Sequence, residues 1–272
     1  MKTLTLTSNA KANFSLDILG RETTPGPFEG YHFIQTVLYE ITPQNTHDFR
    51  SDLVTIDADV NTEANPDTSD PQITILCDDP LVPTDESNLA YKAAELIIQR
   101  RNTKKIQPVK VTITIEKHIP VAQGFGGGSS NAAATLKGLN ELLDLKLSSN
   151  ELRSIAAEIG MDVPFFIDGG VALGEHFGER ITRLPPINGL AFTIFAGEVQ
   201  PRDKTKRAYE AIDLSLCCQN TAQTEALIHA IKTNDHFEVH KNLHNDFEVL
   251  LKTPLPENHH LTGSGPGYFL VA

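Results

Sequence analysis

Residues 120–136 read PVAQGFGGGSSNAAATL, and the glycine-rich part of that stretch, Gly124–Asn131 (GFGGGSSN), lies between two segments of different period. Upstream, Val109–Lys117 (VKVTITIEK) alternates apolar and polar residues with the period of two expected of a half-buried strand, and Pro120 ends it. Downstream, SSNAAATLKGLNELLDL puts Ala133, Leu136, Leu139 and Leu143 on one helical stripe. Glycine at a strand-to-helix junction lets the main chain adopt positive φ and lets a ligand come close, and the helix start adds partial positive charge. A linker or a tight turn explains a lone glycine cluster equally well. The flanks favour a phosphate cradle: Ser129 or Ser130 can cap the helix and offer a hydroxyl to a phosphate or Mg2+, and the run Ala132-Ala133-Ala134 permits close packing behind the loop. No lysine follows the glycines as in G-x-x-x-x-G-K-[ST], and the setting is not that of a dinucleotide fingerprint, so a different phosphate-binding fold is expected.

Working outward, Asn88–Arg101 (NLAYKAAELIIQRR) has helical spacing and composition. Ser148–Glu151 has the spacing of a capping box, with Gly160 placed to stop the helix that follows, so that Met161-Asp162-Val163-Pro164 opens a new turn. Tyr31–Ile41, Val54–Asp57, Gln72–Cys77 and Ala191–Ala196 read as strands, and Thr205–Ile212 and Thr221–Thr233 as helices. Thr3–Asp17 alternates loosely and carries Lys11 and Asn13 near a strand end, before Ile18-Leu19-Gly20 interrupts the pattern; Arg21–Gly30, with two prolines and two glycines, reads as a loop. This irregular mixture predicts an α+β protein of two lobes, residues 1–165 and 166–272.

The 272 residues carry a formal net charge of −12, which argues against a dedicated nucleic-acid binder. Lys104-Lys105 and Arg202-Asp203-Lys204 read as solvated loop charge. The three cysteines, an odd count without metal-ligand spacing, fit a reducing cytosol. The N-terminus has no apolar signal core and no window approaches the ~20 apolar residues of a membrane span, so a soluble cytoplasmic protein is expected. His259-His260 reads as loop rather than a metal site, because adjacent side chains on an extended chain point apart.

Pro120–Leu136 resembles the nucleotide loop of the galactokinase, homoserine kinase, mevalonate kinase and phosphomevalonate kinase superfamily. Lys11–Gly20 (KANFSLDILG), Gly30–Leu38 (GYHFIQTVL) and Asp162–Glu179 (DVPFFIDGGVALGEHFGE) resemble one branch of it, whose members phosphorylate the 2-hydroxyl of a cytidine-diphosphate alcohol on the non-mevalonate route to isoprenoid precursors. Asn88–Ile97 and Leu261–Phe269 extend the likeness over nearly the whole chain. The resemblance implies a small-molecule kinase with a ribosomal-protein-S5-domain-2-like N-terminal lobe that binds Mg2+-ATP and a smaller α+β C-terminal lobe. It implies a catalytic pair of Lys11 and Asp162, and an ATP loop of Pro120, Val121, Ala122, Gln123, Gly124, Phe125, Gly126, Gly127, Gly128, Ser129 and Ser130. It also implies substrate contacts from Asn13, Tyr31, His32 and Tyr209. A sister kinase of the superfamily and a non-catalytic ligand sensor are the competing readings.

Taken singly, these residues have blander explanations. An Asp before Val-Pro is more often a turn residue, a lysine more often at the surface, and Tyr31-His32 fits a core tyrosine beside a solvent-facing histidine. Three departures from the family pattern stand out: a longer Arg21–Gly30 loop that can reshape the cytidine pocket, Phe125 where leucine is customary, and a chain that stops at Ala272 after a strand-like GYFLVA, suggesting a trimmed second lobe or an exposed sheet edge.

Overall fold

The computed structural model describes residues 1–46, 50–59, 71–101, 110–198 and 203–272. Among them run strands β1 (Lys2–Ser8), β2 (Ala10–Arg21), β3 (His32–Ile41), β4 (Asp52–Asp59) and β5 (Gln72–Cys77), then helix α1 (Leu89–Arg101), strand β6 (Lys110–Glu116), and helices α2 (Gly127–Leu142), α3 (Ser149–Ile159) and α4 (Val163–Asp168). Strands β7 (Val171–Glu175), β8 (Arg180–Arg183) and β9 (Phe192–Phe195), helices α5 (Lys204–Ala211), α6 (Thr221–Thr233) and α7 (His236–Lys241), and strands β10 (His244–Asn245), β11 (His259–Leu261) and β12 (Tyr268–Val271) complete the order. The expected α+β class holds. Lys104-Lys105 and Arg202 lie outside the described residues.

The chain forms two compact units that interleave along the sequence: Met1–Asn9, Ser51–Val121 and Gly127–Asp168 make the first, and Ala10–Arg50, Ala122–Gly126 and Gly169–Ala272 the second. In the first unit, the sheet order is β1-β4-β6-β5, with β5 parallel to β6 and the other pairs antiparallel. Val54, Ile56, Val111, Ile113 and Ile115 bury one face of that sheet, and α2 packs against β1 and β4. Gly138 makes the approach possible, since a Cβ there would stand 2.4 Å from Ile56 Cδ1. The capping box at Ser148 and Glu151 forms as the spacing predicts. Gly160 also ends α3, but at φ 178°, an extended conformation open to any residue.

In the second unit, a five-stranded sheet has the order β10-β2-β3-β7-β8, and a three-stranded sheet the order β11-β12-β9. Phe14 stacks on Tyr39 at 4.8 Å and on Phe269 at 6.2 Å, joining residues distant in sequence into one core. Three sequence expectations need correction here. Ile18-Leu19-Gly20 does not break the strand, because β2 absorbs the irregularity as bulges at Asn13/Ser15 and Ile18/Gly20. His259-His260 lies in β11 rather than a loop, its ladder to Leu270 and Phe269 outweighing the weak local signal. The terminal β12 pairs on both sides, so it presents no sheet edge. No helix among the described residues is long and apolar enough to cross a membrane.

Candidate active site

From Ala10 to Ile18, β2 is buried at every position, although Lys11, Asn13, Ser15 and Asp17 alternate with the apolar residues. Burial of that much polar surface requires a partner for each group. Lys11, only 2% exposed, donates from Nζ to Asn13 Oδ1. Asn13 donates from Nδ2 to Thr36 Oγ1 at 2.8 Å, and its Oδ1 accepts the Gly263 amide at 2.8 Å. Ser15 Oγ accepts the Val37 amide, and Asp17 accepts a hydrogen bond from Thr224 Oγ1 at 2.6 Å and lies 3.1 Å from His244 Nε2. The strand therefore holds the Lys11 ammonium and the Asn13 amide in one defined arrangement.

The same unit contains residues 122–126 of the glycine loop. Ala122, Gly124 and Gly126 take positive φ of 58°, 91° and 73°. Three consecutive loop carbonyls are held: Gln123 O accepts the Gly267 amide at 3.0 Å, Gly124 O accepts Thr262 Oγ1 at 3.2 Å, and Phe125 O accepts the Lys11 amide at 2.9 Å. The Gln123 side chain adds paired bonds to Gly197, with its Oε1 accepting the Gly197 amide at 2.8 Å. The Gly124, Phe125 and Gly126 amides, in contrast, donate to no protein acceptor among the described residues. Carbonyls anchored inward and amides unspent give the loop the polarity of an anion cradle.

In the first unit, Pro120 and Val121 lead out of β6, and Gly127, Gly128, Ser129 and Ser130 form the opening turn of α2. The serines lie inside the helix and do not cap it, correcting the sequence expectation, because glycine already permits the helix to start at Gly127. Ser130 turns inward and accepts a hydrogen bond from Ser8 Oγ at 2.7 Å, whereas Ser129 remains half-buried. Beneath the turn lies a group that the sequence did not single out. Asp52, fully buried, accepts the His118 and Ile119 amides at 2.7 and 2.8 Å, accepts Asn131 Nδ2 at 2.9 Å, and pairs with the buried Lys117 ammonium. Asp52 opens an ordinary-looking strand and carries no local signal. Asp162 sits half-buried in the turn between α3 and α4, and its carboxylate has no hydrogen bond or ion pair among the described residues.

The base-binding candidates divide in two within the second unit. His32 stacks on Tyr209 with ring centroids 4.9 Å apart, and Tyr209 meets Phe247 edge-on at 4.8 Å. Burial first, then the Arg21 charge, holds the His32 pKa below its ordinary value, which favours the neutral imidazole. Tyr31, just before β3, packs edge-on with Phe28 at 5.5 Å and Phe177 at 5.4 Å. The long Arg21–Gly30 loop is thus a pinned hairpin, closed by the Glu22 amide on Tyr31 O at 2.7 Å and the Gly30 amide on Glu22 O at 2.9 Å, and it contributes Phe28 to the aromatic cluster.

No group of three or more His, Cys, Asp or Glu among the described residues is arranged to hold a metal ion.

Residues 88–170 match the family model described as the GHMP kinases N terminal domain. The fold is shared with solved kinases of that class. A structure of 4-(cytidine 5'-diphospho)-2C-methyl-D-erythritol kinase superposes with a TM-score of 0.67 at 24% identity, covering 99% of this chain and 90% of the other. Homoserine kinase from Cytophaga hutchinsonii superposes with a TM-score of 0.68 at 18% identity, covering 100% and 85%. The class is therefore that of the GHMP small-molecule kinases. More narrowly, the chain belongs to the 4-diphosphocytidyl-2-C-methyl-D-erythritol kinase family. It is 36% identical to the family member from Caldicellulosiruptor saccharolyticus, over 97% of this chain and 86% of that protein. It is 34% identical to the one from Gloeobacter violaceus, over 100% and 86%.

Proposed function

We propose that this kinase phosphorylates the 2-hydroxyl of 4-diphosphocytidyl-2-C-methyl-D-erythritol at the expense of ATP, as a cytoplasmic step of the non-mevalonate route to isoprenoid precursors. The reading rests above all on the polarity of the loop, where the carbonyls of residues 123–125 are anchored and the amides of residues 124–126 donate to no acceptor among the described residues, beside a lysine buried in β2. In this reading residues 1–165 supply the nucleotide lobe and 166–272 the smaller lobe. Pro120–Ser130 cradle the triphosphate, with the Gly124, Phe125 and Gly126 amides and the first turn of α2 directed at its oxygens. Ser129 is the hydroxyl left to hold Mg2+, which when bound neutralises phosphate charge.

Asp162 acts as general base. A carboxylate is too weak a base to deprotonate an alcohol in the ground state, so the proton is accepted late, as the bond to phosphorus forms and the hydroxyl becomes acidic. Lys11 steadies the charge on the transferring group, and Asn13 fixes the Lys11 ammonium. Tyr31, His32 and Tyr209 hold the cytosine, by stacking and by hydrogen bonds to its edge.

A coupled assay of ADP release, with the cytidine substrate compared against mevalonate and homoserine, tests the proposal. Turnover is expected with the cytidine substrate alone. Asp162→Asn is expected to lower kcat by about 10²-fold or more with ATP affinity nearly unchanged. Turnover of a sister alcohol instead, or nucleotide binding with no phosphoryl transfer, would reject the substrate or the catalytic reading respectively.

A further inference from the structure

Lys204, read from sequence as solvated loop charge, is the first residue of α5 and is half-buried. Among the described residues its ammonium has no hydrogen bond and no carboxylate partner. Its neighbour Thr205 accepts a hydrogen bond from Ser264 Oγ at 3.2 Å, which ties the start of α5 to the loop at residues 262–265. In that loop Gly263 donates its amide to Asn13 Oδ1 at 2.8 Å, and a Cβ on Gly263 would stand 3.4 Å from Lys11 Nζ. The loop thus lies against Lys11 at one end and against Thr205, the residue next to Lys204, at the other, and Thr262 in it holds the Gly124 carbonyl. Burial and then the charge of Lys11 pull the Lys204 pKa down to about 8. Two ammonium groups in one partly desolvated region repel each other, and a multiply charged anion between them converts that repulsion into binding.

We propose that Lys204 is a second phosphate-binding lysine of the site, set beside Lys11 across the 262–265 loop. Its ligand class is a phosphate with two or more negative charges. Both the terminal phosphate of ATP and the diphosphate of a cytidine substrate have this chemistry; the second rests on the function proposed above, the first does not.

Calorimetric titration of the wild type, Lys204→Met and Lys204→Arg with CDP, ADP and a non-hydrolysable ATP analogue tests it. Lys204→Met is expected to weaken at least one ligand by about 10- to 100-fold, and Lys204→Arg to recover most of that loss. A loss seen with the ATP analogue but not with ADP assigns the terminal phosphate, and a loss confined to CDP assigns the acceptor's diphosphate. Lys204→Met binding all three like the wild type, or a wild type that binds none, overturns the proposal. The α5 helix buries none of its residues, so the variants should fold, and equal Tm values check this. A wild type that binds these ligands yet fails to phosphorylate the cytidine alcohol removes the substrate assignment and leaves the role of Lys204 to the titrations.

Discussion

Gly124 and Gly128 belong to one glycine run but answer to different constraints. Gly124 has φ +91°, and a Cβ would lie 2.1 Å from the Thr262 carbonyl oxygen, whereas a Cβ on Gly128 would meet only Leu89 Cδ1 at 3.9 Å. Gly124→Ala should therefore lower stability by at least ~1–3 kcal/mol from backbone strain alone, and displace the loop. Gly128→Ala should leave the Tm near wild type. If Gly128→Ala nevertheless loses affinity for an ATP analogue, the crowding is by the ligand and not by the protein; urea unfolding together with nucleotide titration separates the two effects. The sequence showed the glycines and their place between strand and helix, but not this division of labour. The atom that excludes a side chain at position 124 belongs to a residue 138 positions away. Lys11 was found by resemblance alone, since nothing local distinguishes a lysine in a buried strand from one at the surface.

At the level of elements, β6, α1, α2 and α6 were legible because each buries a face at its own period, and the α3 start because its capping box is local. The full length of β2 was not, since its buried polar residues and two bulges blur the alternation. Asp52 escaped notice for a related reason: its role is to join elements. From the head of β4 it holds the exit of β6 through the His118 and Ile119 amides and the start of α2 through Asn131. Asp52→Ala strands the Lys117 ammonium, whose side chain is 4% exposed, and should cost about 3–5 kcal/mol. Asp52→Asn combined with Lys117→Met removes both charges but keeps an acceptor for the His118 and Ile119 amides, and should recover much of that loss in urea unfolding. A single variant as stable as wild type would show that the pair is not needed to hold the turn.

For the whole molecule, two histidines set opposite pH limits. Burial pulls the His244 pKa down, but its hydrogen bonds to the Asp17 carboxylate and the Asn242 carbonyl and the charges of Asp17 and Asp246 outweigh it, leaving the pKa raised. Its stabilising contribution is complete below the unfolded value near 6.5 and is lost as pH rises through the higher folded value. His260 is the reverse: burial, then the charges of His259, His240 and His244, push its pKa down to about 4. Its contribution is present above about 6.5 and is lost as pH falls towards 4. Tm measured from pH 5 to 8 should flatten on the acid side in His260→Phe and on the alkaline side in His244→Asn; unchanged profiles would show that neither group titrates with unfolding. The α+β class was readable from the mixture of elements, whereas the interleaving of the two units was not, because it depends on pairings between distant segments. The grip of Thr262 and Gly267 on the carbonyls at 124 and 123 also bears on biosynthesis. A nascent chain still missing those residues has already made every glycine of the cradle but cannot yet fix their orientation, so nucleotide can assist folding only after translation has passed them.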